Sequence, residues 1–332
     1  MAYTSRRRAA LAIACALIAA ATALPVAVAS AQPTAGVLTK GSYTNAAGTR
    51  SYELYVPAGY HAGTAMPLIV ALHGCTQTAD KFRQQIGFDT LADAKGFIVV
   101  YPEQPSSANY LSCWNFFQQQ HMSRGAGEPS LIAGITSQVQ QQYTVDTHRT
   151  YVAGLSAGGA MADVMAATYP DVYAAAGVAS GCEYGAGAAC AGYRSADPEQ
   201  AGKQAYQAMG AHAREMPFIV FQGDADTTVP PINGQQLVRE DQIEADWADD
   251  GVENGSVPAA PTQVVDGQVP GGRSYTVSHY SDGHGHELGQ YWVVHGMSHA
   301  WSGGDASQQY SDPSGPSASA AMYDFFMSHP AP

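Results

Sequence analysis

Short apolar runs recur along the chain at residues 51–56, 68–72, 97–101, 150–153, 174–179 and 218–222. They are dominated by β-branched, aromatic and small residues and bounded by Gly or Pro, the pattern of strands covered on both faces. Helical spacing falls between them. Leu131, Ile135, Val139 and Tyr143 recur every four residues behind Ser130, a candidate cap. A helix over 90–95 stops at Gly96, and further helices are expected over 160–169, 235–247 and 317–327. Strands alternating with helices predict an α/β architecture with a mostly parallel sheet flanked by helices on both faces. Two late strands, 274–280 and 287–294, are joined by residues 281–286, and the Pro- and Gly-containing stretch 251–272 reads as a long surface insertion.

The first residues follow another logic. Arg6, Arg7 and Arg8 precede an apolar run over 11–23, and Ala29-Ser30-Ala31 has the small residues of a cleavage site. Residues 1–31 are expected to be a secretory signal peptide, because the run is too short to span a bilayer. Ser5-Arg6-Arg7 also resembles a twin-arginine signal, so the export route stays open. The remaining residues, 32–332, carry no internal repeat or Pro/Ser/Thr-rich linker and are expected to form one domain.

Composition then narrows the classes of function. With 332 residues, 45% hydrophobic and 13% charged, the chain can bury a sizeable core, which excludes disorder. Its formal charge of −13 argues against nucleic acid or an anionic membrane as partner. Export gives meaning to Cys75, Cys113, Cys182 and Cys190, an even number in an oxidising compartment. Three pairings exist. A local Cys182–Cys190 bridge leaves Cys75–Cys113, worth about 2.5 and 4 kcal/mol respectively on chain-entropy arguments.

The sharpest chemical signal is Gly154-Leu155-Ser156-Ala157-Gly158-Gly159, between a strand and a helix. A G-x-S-x-G in that context is a nucleophile elbow, where flanking glycines permit a sharp turn and the helix N-terminus favours developing negative charge. A serine needs a base, and the base an orienting acid, which follow the serine in the order acid then histidine. Asp224 and Asp226 both lie in the loop after strand 218–222. Asp226 is preferred, because Val229-Pro230 can anchor it, while Asp224 suits bonding to loop amides. Of the late histidines, His299 stands in a glycine-flanked loop beyond strand 287–294, whereas His295 ends the strand and His329 lies at the C-terminus. His279, Asp282, His284 and His286 read as a polar hairpin turn rather than a metal site. The oxyanion hole would use the amides of Ala157 and of Cys75, in the loop His73-Gly74-Cys75-Thr76-Gln77. His73 precedes the serine and is assigned a structural role.

Together these stretches resemble the extracellular polyhydroxybutyrate depolymerase family of α/β-hydrolases. The resemblance rests on residues 72–77, Tyr101-Pro102-Glu103-Gln104, Cys113-Trp114-Asn115-Phe116-Phe117, residues 154–159, residues 223–230 and residues 296–304. It implies the α/β-hydrolase fold, a triad of Ser156, Asp226 and His299, a Cys75–Cys113 bridge, and a substrate cleft near Trp114, Asn115 and Trp301, with the Trp301 ring exposed to hold the acyl chain. It also implies a secreted, monomeric serine esterase acting on a polyester or small ester without metal or organic cofactor. Many members carry a linker and a substrate-binding module after the catalytic domain; here the polymer is expected to meet the catalytic domain's own surface. The alternatives are a carbohydrate esterase of the feruloyl or acetylxylan type, or a non-catalytic surface-binding protein on a hydrolase scaffold.

Overall fold

A computed structural model describes residues 1–2, 35–192 and 197–332. Contacts divide the chain into Met1–Thr34 and Ala35–Pro332, and the expected signal peptide lies outside the described residues. The first elements are β1 (Val37–Asn45), β2 (Gly48–Val56), β3 (Met66–Leu72), α1 (Ala79–Ile86), α2 (Phe88–Lys95), β4 (Ile98–Pro102) and α3 (Gly127–Gln142). Next come β5 (Val145–Leu155), α4 (Ala157–Thr168), β6 (Ala176–Ala179), α5 (Pro198–Met209), β7 (Phe218–Gly223) and α6 (Pro231–Asp250). Then follow β8 (Gln263–Gln268), β9 (Ser274–Ser281), β10 (Glu287–Val294), β11 (Trp301–Ser302), β12 (Ser311–Asp312) and α7 (Ala318–Ser328). No described helix is long and apolar enough to cross a membrane.

Ten strands form one sheet in the order β1-β2-β4-β3-β5-β6-β7-β10-β9-β8. From β4 to β10 the neighbours run parallel, and both edges are antiparallel. This is the mostly parallel sheet expected from the alternation of strands and helices. Alternate residues of β3 explain its unbroken apolar run. Leu68, Val70 and Leu72 enter a core with α3 and α4, while Ile69 and Ala71 enter one with α1, α2 and α7. A third cluster packs α6 against β7, β9 and β10.

Local chemistry sets the helix ends. Thr78 Oγ1 accepts the Lys81 amide at 3.3 Å to start α1, and Gly87, at φ +65°, ends it while opening α2. Asp197 caps α5 ahead of Pro198, and Ser317 caps α7.

Three expectations are revised. Ser130 lies inside α3, not at its start; its hydroxyl donates to Gly127 O at 2.7 Å, and the cap position is Ala126. The stretch 251–272 contains the edge strand β8, which pairs antiparallel with β9 and leaves Val264 and Val265 exposed. Elements β1, α1 and α5 were not anticipated, because β1 is largely exposed and the buried stripes of the two helices are short.

The packing of α7 yields a stability test. Phe326 is fully buried and stacks on Tyr151 of β5, ring centroids 4.7 Å apart. Phe326→Ala should lower the unfolding free energy by about 3–5 kcal/mol, whereas Val264→Ala on the exposed edge should change it by less than about 0.5 kcal/mol. Urea denaturation of both variants measures the contrast.

Candidate active site

Ser156 occupies the abrupt turn between β5 and α4. Its backbone sits at φ +58° and ψ −123°, a region that costs a non-glycine residue about 1–3 kcal/mol. Hydrogen bonds on both sides hold it there. The Ser156 amide donates to Ala179 O at 2.9 Å, and its carbonyl accepts the Ala160 amide at 2.9 Å. A Cβ at Gly154 would collide with the Gly158 carbonyl, and one at Gly158 with the carbonyls of Leu72 and His73. The two glycines therefore let β3, β5 and α4 close around the serine.

The neighbouring strands β7 and β10 carry the next two groups. Asp226 lies in the turn after β7 and His299 in the loop after β10, 73 residues later. His299 Nδ1 donates to Asp226 Oδ2 at 2.8 Å, while Asp226 Oδ1 accepts the amides of Thr228 (2.8 Å) and Val229 (2.9 Å). With Asp226 only 2% exposed, its orientation is set from both ends. Asp224 makes a parallel but exposed pair. Its Oδ2 accepts from His295 Nδ1 at 2.9 Å and its Oδ1 from the Gly296 amide at 2.6 Å. Ser156 and His299 line a small cavity of about 110 Å³ with Gly74, Cys75, Leu155, Thr228 and Tyr310. No hydrogen bond joins the serine to the imidazole among the described residues.

Two amides flank the same place. Ala157 is the first residue of α4, where amides lack an intrahelical acceptor. In the loop after β3, the Gly74 amide donates to Gln77 Oε1 at 2.9 Å and the Thr76 amide to Leu111 O at 2.6 Å. The intervening Cys75 amide makes no hydrogen bond among the described residues. A Cys75–Cys113 disulfide fastens this loop to the segment after β4, and Cys182 bonds Cys190.

A buried polar network supports that segment. Glu128, fully buried in the first turn of α3, accepts from the Asn115 amide (2.7 Å), Asn115 Nδ2 (2.6 Å), Arg50 Nη2 (3.3 Å) and Gln104 Nε2. His73 joins the same network. The Gln104 amide can only donate, so His73 Nε2 accepts it (3.0 Å) and the proton sits on Nδ1, which donates to Gly74 O at 2.7 Å. Burial pushes His73 down to about 4, which keeps the ring neutral.

A larger cavity of about 390 Å³ opens beside Ser156. Its walls are Phe116, Phe117, the Cys75–Cys113 bridge, Ala157, Gly187, Cys190, Thr228 and Val229. This corrects the expected cleft residues. Trp301 is fully buried, meets Phe82 and Phe88 edge-on and donates to Ser319 Oγ at 3.0 Å. Trp114 is fully buried beside His73, and Asn115 is held by Glu128, so neither lines the cavity. The rings that do are their neighbours in the same motif. Phe117 is 45% exposed, and Tyr310, 6.1 Å from the His299 ring, carries no local sequence signal. His279 lies in β9, and residues 282–286 form the turn to β10: Asp282 accepts the amides of His284 and His286 and pairs with His286 Nδ1 at 2.9 Å.

Comparison with known proteins follows the same lines. The family described as "Esterase PHB depolymerase" matches residues 50–254. Poly(3-hydroxyalkanoate) depolymerase C of Paucimonas lemoignei is 44% identical over 130 residues, 39% of this chain and 31% of that protein. Acetylxylan esterase A of Emericella nidulans is 35% identical over 196 residues, 55% of this chain and 63% of that protein. The chain thus spans less than two thirds of the length of either relative. Among solved structures, an acetyl xylan esterase from Aspergillus awamori superposes with a TM-score of 0.66 at 27% identity, covering 80% of this chain and 94% of that one.

Neutral His73 generates a pH prediction. An ordinary histidine titrates near 6.5, so as pH falls the unfolded chain takes up this proton first and folding is penalised. The neutral ring's contribution is present above pH 6.5 and is lost as pH falls toward about 4, a change of roughly 3 kcal/mol. His73→Gln, uncharged at every pH, should show a flatter loss of stability across that window in thermal melts. Equal slopes for both proteins would contradict the assignment.

Proposed function

Since the chain belongs to the esterase PHB depolymerase family, we propose that it is a secreted serine esterase that hydrolyses poly(3-hydroxybutyrate) or related short-chain aliphatic polyesters and oligoesters. The observation that carries this reading is the buried Asp226–His299 pair beside Ser156, at the edge of an apolar cavity. His299 Nε2 takes the Ser156 proton as Oγ attacks the ester carbonyl, while Asp226 keeps Nδ1 protonated and stabilises the imidazolium. The amides of Cys75 and Ala157 receive the negative oxygen of the tetrahedral intermediate. His299 then protonates the departing hydroxyl end. Water, deprotonated by the same imidazole, releases the acid from the acyl-enzyme. Free-state hydrogen bonds between nucleophile and base are often long and tighten with substrate. The two disulfides suit an oxidising compartment and support export, with residues 1–31 as the signal peptide.

The cavity's walls favour a polyester. Phenylalanine rings, disulfide sulfur and Val229 suit methyl and methylene groups, whereas a sugar would call for several polar partners. The second reading, deacylation of a plant polysaccharide, is favoured by the similarity to acetylxylan esterases.

Purified protein should clear a poly(3-hydroxybutyrate) suspension, and Ser156→Ala should not. Hydrolysis of short p-nitrophenyl esters without clearing would favour the polysaccharide reading. Asp226→Asn should reduce kcat by about 10³–10⁴ by freeing the histidine tautomer, whereas Asp224→Asn, on the exposed pair, should leave kcat within a few-fold. The reverse ranking would reassign the acid.

A further inference from the structure

Away from Ser156, carboxylates gather in the core between α4, α6 and the loop after β6. Asp163, Glu183, Glu240, Asp241 and Glu244 are each at most 6% exposed. Carboxylate oxygens of Asp163, Glu240 and Asp241 lie within 4.8 Å of one another. Asp163 Oδ2, Asp241 Oδ2 and both oxygens of Glu240 have no hydrogen-bond partner. Within the trio Glu240 is fully buried with neither carboxylate oxygen partnered, while Glu183, 1% exposed, lies outside it.

No basic side chain neutralises the group. Among the described residues, no ion pair includes any of the five. Arg214 reaches only Glu244 through its charge, and its N–H groups serve the carbonyls of Pro170, Tyr173, Ala174 and Glu215. Like charges this close in a dry core need either protons or a cation.

We propose that Asp163, Glu240 and Asp241 bind one hard divalent cation of the Ca²⁺ class. The donors are all carboxylate oxygens, which selects calcium-like ions over thiophilic metals. Calcium–oxygen bonds run to about 2.3–2.6 Å, so oxygens sharing one ion lie at most about twice that apart, the spacing of this trio. Asp163 sits on α4, the helix that begins just after Ser156. Glu240 and Asp241 sit on α6, which follows the Asp226 loop. The ion is a structural tie between these two helices and takes no part in the ester chemistry.

The test uses the wild-type chain stripped with EDTA and titrated calorimetrically with CaCl2, with thermal melts in parallel. One calcium per chain is expected, with the Tm raised by roughly 4 °C at a hundredfold excess over Kd. The double variant Asp163→Asn, Glu240→Gln should lose both responses. Absence of calcium binding by the wild type, with a Tm indifferent to EDTA and CaCl2 and rising on mild acidification, would overturn the proposal in favour of a protonated cluster. Because binding and melting are read without substrate, the outcome is independent of the esterase reading.

Discussion

The structure turns on one close approach. At Gly154 and Gly158 the end of β5 and the start of α4 pass within van der Waals contact of each other and of the end of β3, leaving no room for a Cβ. That contact lets Ser156 adopt a backbone conformation it would otherwise avoid, with its amide and carbonyl both bonded to regular structure. A strained residue persists only where its surroundings over-determine it. Here the surroundings are the buried ends of β3 and β5 and the start of α4, so the strain is carried by the core rather than by a loop.

Around that point the fold supplies rigidity by different means on each side. On one side Asp226 and His299 arrive from adjacent parallel strands and are locked by two loop amides. On the other, a disulfide and the buried Glu128 hold Cys75 and the 113–117 segment. A buried carboxylate is costly unless its oxygens are satisfied. Glu128 meets that condition with four donors. Between α4 and α6, by contrast, both oxygens of Glu240 and one each of Asp163 and Asp241 have no donor among the described residues, which is why the two acidic sites read so differently.

Much of the fold was legible along the chain, because buried parallel strands are short, apolar and bounded by turn residues. Central strands and the helices with regular apolar spacing could be located this way. The exposed β1 and β8 could not, since an edge strand has no apolar run to betray it. The late loops illustrate the same limit. Asp224 and Asp226 stand two residues apart in one loop, where the sequence offers a preference for Asp226, but the pairing of one with His295 and the other with His299 is visible only in the tertiary structure.

By itself the sequence determined the alternation of strands and helices, the elbow around Ser156, and the loops that carry an acid and a histidine, because each is a local pattern with a local physical cause. Tertiary structure decided which aromatic rings face the cavity and which fill the core. Trp301 lies two residues from His299, yet its ring turns into the cluster of Phe82 and Phe88, and Phe116 and Phe117 take the wall instead. It also decided that Asp163 would meet Glu240 and Asp241 across two helices. Side-chain direction depends on which elements pack together, and that information is spread over the whole chain rather than written beside any one residue.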